Sequence, residues 1–318
     1  MAGTFIISFD CEGKWGVADH LNDRLRVALT NKNLNRAYRK LIEILDSWQI
    51  KASFAFVGAF TMSVEEYQAQ RELFTEVYVN GKSWLQPFKQ EVARQQYEGW
   101  LNPQPFQTVV SETQHEIAAH GFSHCPLAET LISREDFNYE IECLKRVAAF
   151  RGREAMTFIY PRNLIGYPEE LRRMGFTGYR DGLRESPVNK LDKAYQKIRN
   201  LAQEFQVYEQ AQTHAKPGGF ITIPPGVFLN WRDGLRAAIP LSVTIQRWQH
   251  LINDAIKHQR VVHLYSHPHN FITGQDMYFL LEKVLKMVSE ALRRQEMVNV
   301  TQKEYVDLKR KGNNLRDG

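Results

Sequence analysis

The chain has 318 residues, of which 43% are hydrophobic and 24% charged. That supplies apolar material for a large core and excludes both a mini-protein and a chain disordered throughout. The net charge of +5 would point to nucleic acid only if the basic residues gathered on one surface, but residues 283–318 carry nine basic residues against five acidic ones, an amphipathic C-terminal segment that reads as a solvated helix face.

Strand-like and helix-like segments alternate from end to end, which predicts an α/β architecture on a largely parallel sheet or barrel. Thr4 to Phe9 reads as a buried strand. Leu34, Ala37, Tyr38, Leu41, Leu45 and Trp48 recur at helical spacing and predict an amphipathic helix. Ala52 to Val57 is a second strand, ended by Gly58, and Glu116 to Ala119 a short third. Ser133 with Asp136 opens a helix through Ile141, Leu144 and Val147, in the manner of a capping box. Met156 to Tyr160 is a strand stopped by Pro161, and Pro168 suits the first turn of a helix. Strands follow at Phe176 to Tyr179 and at Phe220 to Ile223, before Pro224 and Pro225. A helix from about Thr244 to His258, a strand at Val261 to Tyr265, a helix at Met277 to Leu292 and a strand at Val298 to Val300 complete the series. Thr301 with Glu304 forms a capping box for a final helix.

Between the second strand and Glu116 lie about sixty residues (roughly 60–115), far more than the usual connection. They include Trp84, Pro87, Trp100, Pro103 and Pro105. Such an insertion reads equally as a lid or binding wall and as a subunit contact or decoration. With no internal repeat and no low-complexity linker, residues 1–318 read as one domain; whether it forms a homo-oligomer stays open. Cys11, Cys125 and Cys143 are too few for a disulfide framework and fit a reducing compartment. The start MAGTFIISFDCEG has no basic segment followed by a long apolar run, and no window approaches a membrane span. A soluble, cytoplasmic protein without nucleic-acid partners is expected.

Metal-capable residues gather where predicted strands end, the rim on which parallel α/β folds build their sites. Asp10, Cys11 and Glu12 follow the first strand; His120 and His124, in HGFSH, follow the third. Arg162 and Asn163 follow Pro161, and His263, His267 and His269 lie in HLYSHPH. Asp10 and Glu12 could instead cap a helix, but Gly13 follows and no apolar periodicity starts there. His120 and His124 could share a solvated helix face. However, Gly121 and Pro126 disfavour a helix, and a turn would aim both imidazoles into one pocket. His263 sits inside its strand and reads as core, while His269 stays open.

The series SFDCEG, HGFSH, YPRN and HLYSHPH, spanning residues 8 to 269 with AFVG after the second strand, resembles the polysaccharide deacetylase (NodB-type, carbohydrate esterase family four) superfamily. The resemblance implies a distorted (β/α) barrel of about seven parallel strands, with an inserted segment after the second. It also implies one divalent metal ion and hydrolysis of acetamido groups. On this pattern Asp10 is the catalytic base, a following carboxylate binds the metal with His120 and His124, and His267 is the general acid. The family's adjacent carboxylate is replaced by Cys11, so Glu12 is assigned as ligand because some relatives carry Asp-x-Asp or Asp-x-Glu. Cys11 stays open, since thiolates bind zinc well. Arg162 follows the proline of its motif where the family's arginine precedes it, and Trp231, in FLNWRD, is the candidate apolar wall for an acetyl methyl group.

Two imidazoles and one carboxylate would leave positions open for water and a carbonyl oxygen, with zinc the first expectation and cobalt, nickel or iron the alternatives. A backbone N–H after Pro161 is a candidate to hold the oxyanion. The expected function is removal of N-acetyl groups from a sugar or lipid-linked sugar in envelope polysaccharide (lipopolysaccharide) biosynthesis. The alternatives are hydrolysis of a small non-sugar amide or cyclic ureide, and a non-catalytic binding barrel.

Overall fold

The strand at the centre of the molecule is β1 (Gly3–Cys11), whose residues are buried almost throughout. This is the condition of a strand covered on both faces, and it explains the unbroken apolar run. The computed structural model describes residues 2–182 and 220–314; Arg316 and Asp317 of the basic C-terminal stretch lie outside them. After β1 come β2 (Ser53–Phe56), a small antiparallel hairpin of β3 (Tyr78–Val79) and β4 (Lys82–Ser83), and then β5 (Glu116–Ala119), β6 (Thr157–Ile159) and β7 (Gly178–Arg180). The last four strands are β8 (Ile221–Ile223), β9 (Val227–Phe228), β10 (Val261–Ser266) and β11 (Met297–Asn299).

Nine of these strands form one parallel sheet in the order β8-β7-β6-β5-β2-β1-β10-β9, with β11 pairing the start of β1 on the β2 side. Curled on itself, this sheet is a distorted (β/α) barrel. The count exceeds the expected seven partly because β9, only two residues long, is too short to show any period.

Strand alternation separates two environments. Phe5, Ile7, Phe9 and Cys11 point outward into the main core, where Phe9 stacks on Phe54 at 5.1 Å between ring centres. The helix Asn31–Ser47 covers this face with Leu34, Tyr38, Leu41 and Leu45, and the Thr30 side chain caps it by accepting from Asn33 N–H. Each of those buried leucines contributes roughly 1.5–3 kcal/mol. Ile6, Ser8 and Asp10 point into the barrel. At its N-terminal end Ile6 packs with Ile221, Ile223, Val300, Tyr305 and Val306.

The final helix, Gln302–Asn314, closes that end. Thr301 and Glu304 exchange both bonds of a capping box, at 2.9 and 3.2 Å. The Glu116 carboxylate receives Ser53 Oγ–H at 2.6 Å, Thr157 Oγ1–H at 2.5 Å and the Lys303 N–H at 2.9 Å. The described residues thus fill the N-terminal end of the barrel interior, and the candidate residues gather at its C-terminal mouth.

The insertion braces that mouth. Its last helix, Gln104–Glu112, leads into β5, which pairs with β2. Trp15 packs against Phe88 and Trp100 at 4.7 and 5.0 Å and donates its indole N–H to the Trp100 carbonyl. Lys14 forms a buried pair with Glu91 at 2.9 Å. Gly13 adopts φ +52°, and a Cβ there would lie 2.4 Å from the Gly99 carbonyl oxygen, so no other residue fits that approach. Trp84 donates to the carbonyl of Ser123 at 3.0 Å. The segment is thus a packed wall behind the loops that follow β1 and β5.

Candidate active site

β1 ends by aiming Asp10 inward, Cys11 outward and, with one more residue, Glu12 inward again. Cys11 is buried beside Phe9 and Tyr38 in the outer core, and burial holds its thiol well above the usual range. Glu12 is 3% exposed. It precedes the 3-10 turn Gly13–His20 without capping it, and its carboxylate faces four imidazoles instead.

The first pair comes from the loop after β5. His120 donates Nδ1–H to the Ile159 carbonyl at 2.8 Å, which turns Nε2 toward Glu12 at 3.5 Å. A ligating imidazole is typically oriented in this way. The chain then passes through Gly121 and reverses at His124, whose φ is +59°. Glu140 fixes this turn by accepting from Ser123 N–H at 3.0 Å and Ser123 Oγ–H at 2.5 Å. His124 Nε2 ends 2.7 Å from Glu12 Oε2.

The second pair follows β10. His267 Nε2 lies 3.4 Å from Glu12 Oε1 and 3.8 Å from Asp10 Oδ2, while His269 Nδ1 lies 3.8 Å from Glu12 Oε1. Asn270 Nδ2 is 3.2 Å from His267 Nδ1. His263 sits deeper in the barrel, where Nδ1–H donates to the Pro224 carbonyl and Nε2 accepts from Ser8, both at 2.9 Å. Burial keeps it neutral, its pKa lowered to about 3.

Asp10 has a partner that sequence reasoning missed. Arg180, at the end of β7, grips both carboxylate oxygens at 2.8 and 2.7 Å and also donates to Ser8 and Asn163. Its guanidinium lies over the Tyr265 ring at 4.3 Å. Burial alone would raise the Asp10 carboxyl, but Arg180, with His120 and His267, holds the group below the usual carboxylate range. Arg162 is placed elsewhere: its side chain pairs with Asp19 at 2.8 Å and lies over Trp84 on the rim. Trp231 donates its indole N–H to Thr273 on the turn after His269, at 3.1 Å.

These donors fit a divalent cation. Glu12 Oε2, His120 Nε2 and His269 Nδ1 are buried without a hydrogen-bond partner, and the close Glu12–His124 approach is not aligned as a hydrogen bond. Converging lone pairs of this kind are costly unless something positive sits between them. Ligand atoms about 2.0–2.1 Å from a tetrahedral ion stand about 3.3 Å apart, close to the 3.5 Å from Glu12 to His120. Burial would raise Glu12, but the surrounding imidazoles, His124 and His267 first, hold it well below the carboxylate range when they carry a proton, and burial lowers His124 so that its ring gives that proton up more readily. Carboxylate and neutral imidazole are the forms that bind metal.

No family model and no curated protein matches this sequence. Among solved structures the chain is similar to a Mycobacterium smegmatis protein provisionally designated a polysaccharide deacetylase, with TM-score 0.55 and 16% identity over 98% of this chain and 91% of that one. It is also similar to Puue allantoinase, with TM-score 0.50 and 10% identity over 96% and 88%. At such identities the likeness is one of architecture. The barrel has the polysaccharide-deacetylase fold.

Proposed function

We propose that the protein is a metal-dependent amide hydrolase that removes an N-acetyl group from a sugar or lipid-linked sugar in envelope polysaccharide biosynthesis. The observation that carries this reading is the convergence of Glu12, His120 and His124 on one buried point, with His267 beside Glu12 and 3.8 Å from Asp10. When bound there, a divalent ion supplies polarisation of the amide carbonyl and acidifies a water molecule.

The chain's own groups do the rest. Asp10, kept ionised and held on both oxygens by Arg180, takes the proton from the attacking water. His267 sits with Nδ1 3.2 Å from the Asn270 amide; as the imidazolium it carries a proton on Nε2, the nitrogen that faces the site, and returns to the neutral ring on giving it up. From there it protonates the leaving amine, without which the tetrahedral intermediate returns to amide. The N–H groups of Asn163 and Leu164 close the turn after Pro161, bonding to Tyr160 and Pro161. The Arg162 backbone N–H is therefore the candidate to hold the oxyanion. Free, buried Cys11, Cys125 and Cys143 fit a reducing, cytoplasmic setting for a precursor substrate.

The direct test is release of acetate and a free amine from N-acetylated sugars and their lipid-linked forms. Opening of a cyclic ureide without acetate release would instead favour the small-amide reading. Metal content gives an independent check. His120→Ala and His124→Ala should each lose the ion from protein purified in chelator-free buffer, weakening affinity by more than the roughly 10–100-fold that follows loss of a supporting group alone. Unchanged elemental analysis in both variants sinks the metal assignment. His267→Ala should lower turnover by about 10²–10⁴-fold with metal retained; the same loss confined to His269→Ala would move the acid two residues on.

A further inference from the structure

Glu12 has two carboxylate oxygens, and the structure gives each its own pair of imidazoles. Oε2 faces His120 and His124, and Oε1 faces His267 and His269. Among the described residues these are the two groups of three donors whose ligand atoms all lie within 4.8 Å of one another. We propose that Glu12 Oε1, His267 Nε2 and His269 Nδ1 form a second divalent-cation position beside the first, with the Glu12 carboxylate bridging the two, and that an ion there inhibits the hydrolase.

Three observations converge on this position. The Oε1 distances of 3.4 Å to His267 and 3.8 Å to His269 lie at and somewhat above the roughly 3.3 Å edge of a tetrahedral site, whereas the first set's 2.7 and 3.5 Å fall either side of it. His269 Nδ1 is buried and unpartnered while aimed at Glu12, and the proposed reaction gives it no task. Its ring stacks on His267 at 5.1 Å between centres, so the two nitrogens reach the carboxylate side by side. Paired ions in hydrolases stand about 3.5–4 Å apart, a separation a single bridging carboxylate spans.

Inhibition follows from His267, the most exposed member of the set at 23%. An ion on its Nε2 occupies the nitrogen that must present a proton to the leaving amine. Asn270 accommodates either state, since its amide oxygen can accept from Nδ1–H both when Nε2 carries the acid's proton and when Nε2 is a ligand.

The inference rests on the metal reading of Glu12, and the experiment separates the two. Equilibrium dialysis against zinc, with elemental analysis, is run on the wild type, His124→Ala, His269→Gln and His267→Gln. The expected result is a tight ion and a second, weaker one in the wild type. His269→Gln and His267→Gln should retain the first and weaken the second at least about tenfold, with melting temperatures confirming that each variant folds. If His124→Ala loses the tight ion but both Gln variants bind zinc as the wild type does, the second site is overturned and the first stands. A wild type that takes up only one ion at every zinc concentration overturns the second site as well. If no variant differs from a wild type that binds nothing, both readings fall. Acetate release by the wild type should decline once zinc exceeds one ion per chain, and His269→Gln should resist that decline; equal sensitivity would overturn the inhibitory role.

Discussion

Asp10→Asn should lower turnover by about 10²–10⁴-fold, the usual range for loss of a general base, while keeping its metal. The amide is nearly the same shape and can still accept one of the two Arg180 bonds, but it cannot take a proton from water. Metal retention is expected because the proposed ligands are Glu12, His120 and His124. Asp10 meets the site through Arg180 and, at 3.8 Å, through His267. Acetate release, elemental analysis and a thermal melt on the same preparation check it. Turnover within a few-fold of wild type would remove Asp10 from the base role.

Arg180→Met should produce the largest loss of stability at the site. Removing one partner of a buried, hydrogen-bonded pair leaves the other charge uncompensated, which costs about 3–5 kcal/mol. Here the charge left behind is Asp10, 3% exposed. The sign of the pH effect follows from the wild type, where Arg180 holds the Asp10 carboxyl below its usual range. The pair's contribution is present above the unfolded carboxyl value of about 3.9 and is lost as pH falls through the lower folded value. Without Arg180 the carboxyl rises, so the acid limb of the rate profile should move to higher pH and the melting temperature should drop. A variant with an unchanged acid limb would show that Arg180 does not tune the base.

Several features were legible because their physics is local. β1 and β10 are buried on both faces and show as apolar runs, and the residues closing them, with the HGFSH pair after β5, do converge. The choice between Cys11 and Glu12 was also within reach, since period-two alternation sends Asp10 and Cys11 to opposite faces. Arg162 drew attention because it sits within YPRN, yet neighbours in sequence are not neighbours across a barrel. Arg180 comes from a strand predicted to end at Tyr179, one residue too early to mark a charge at a strand end. The β3–β4 hairpin did carry a signal, an Asn80-Gly81 turn with both residues at positive φ, but two-residue arms give no periodicity to support it. Glu140 and the insertion's tryptophans act through tertiary contacts that no spacing reports.

The pairing of β1 sets a schedule for biosynthesis. One edge of this strand is taken by β2, some forty residues later, but the other waits for β10, which begins about 250 residues after β1 ends. At translation rates of about 5–20 residues per second that edge stays open for roughly 10–50 seconds. An unpaired apolar strand edge is a template for pairing with another chain. Nascent chains shorter than about 260 residues are therefore the species expected to engage chaperones and to aggregate when the protein is overproduced.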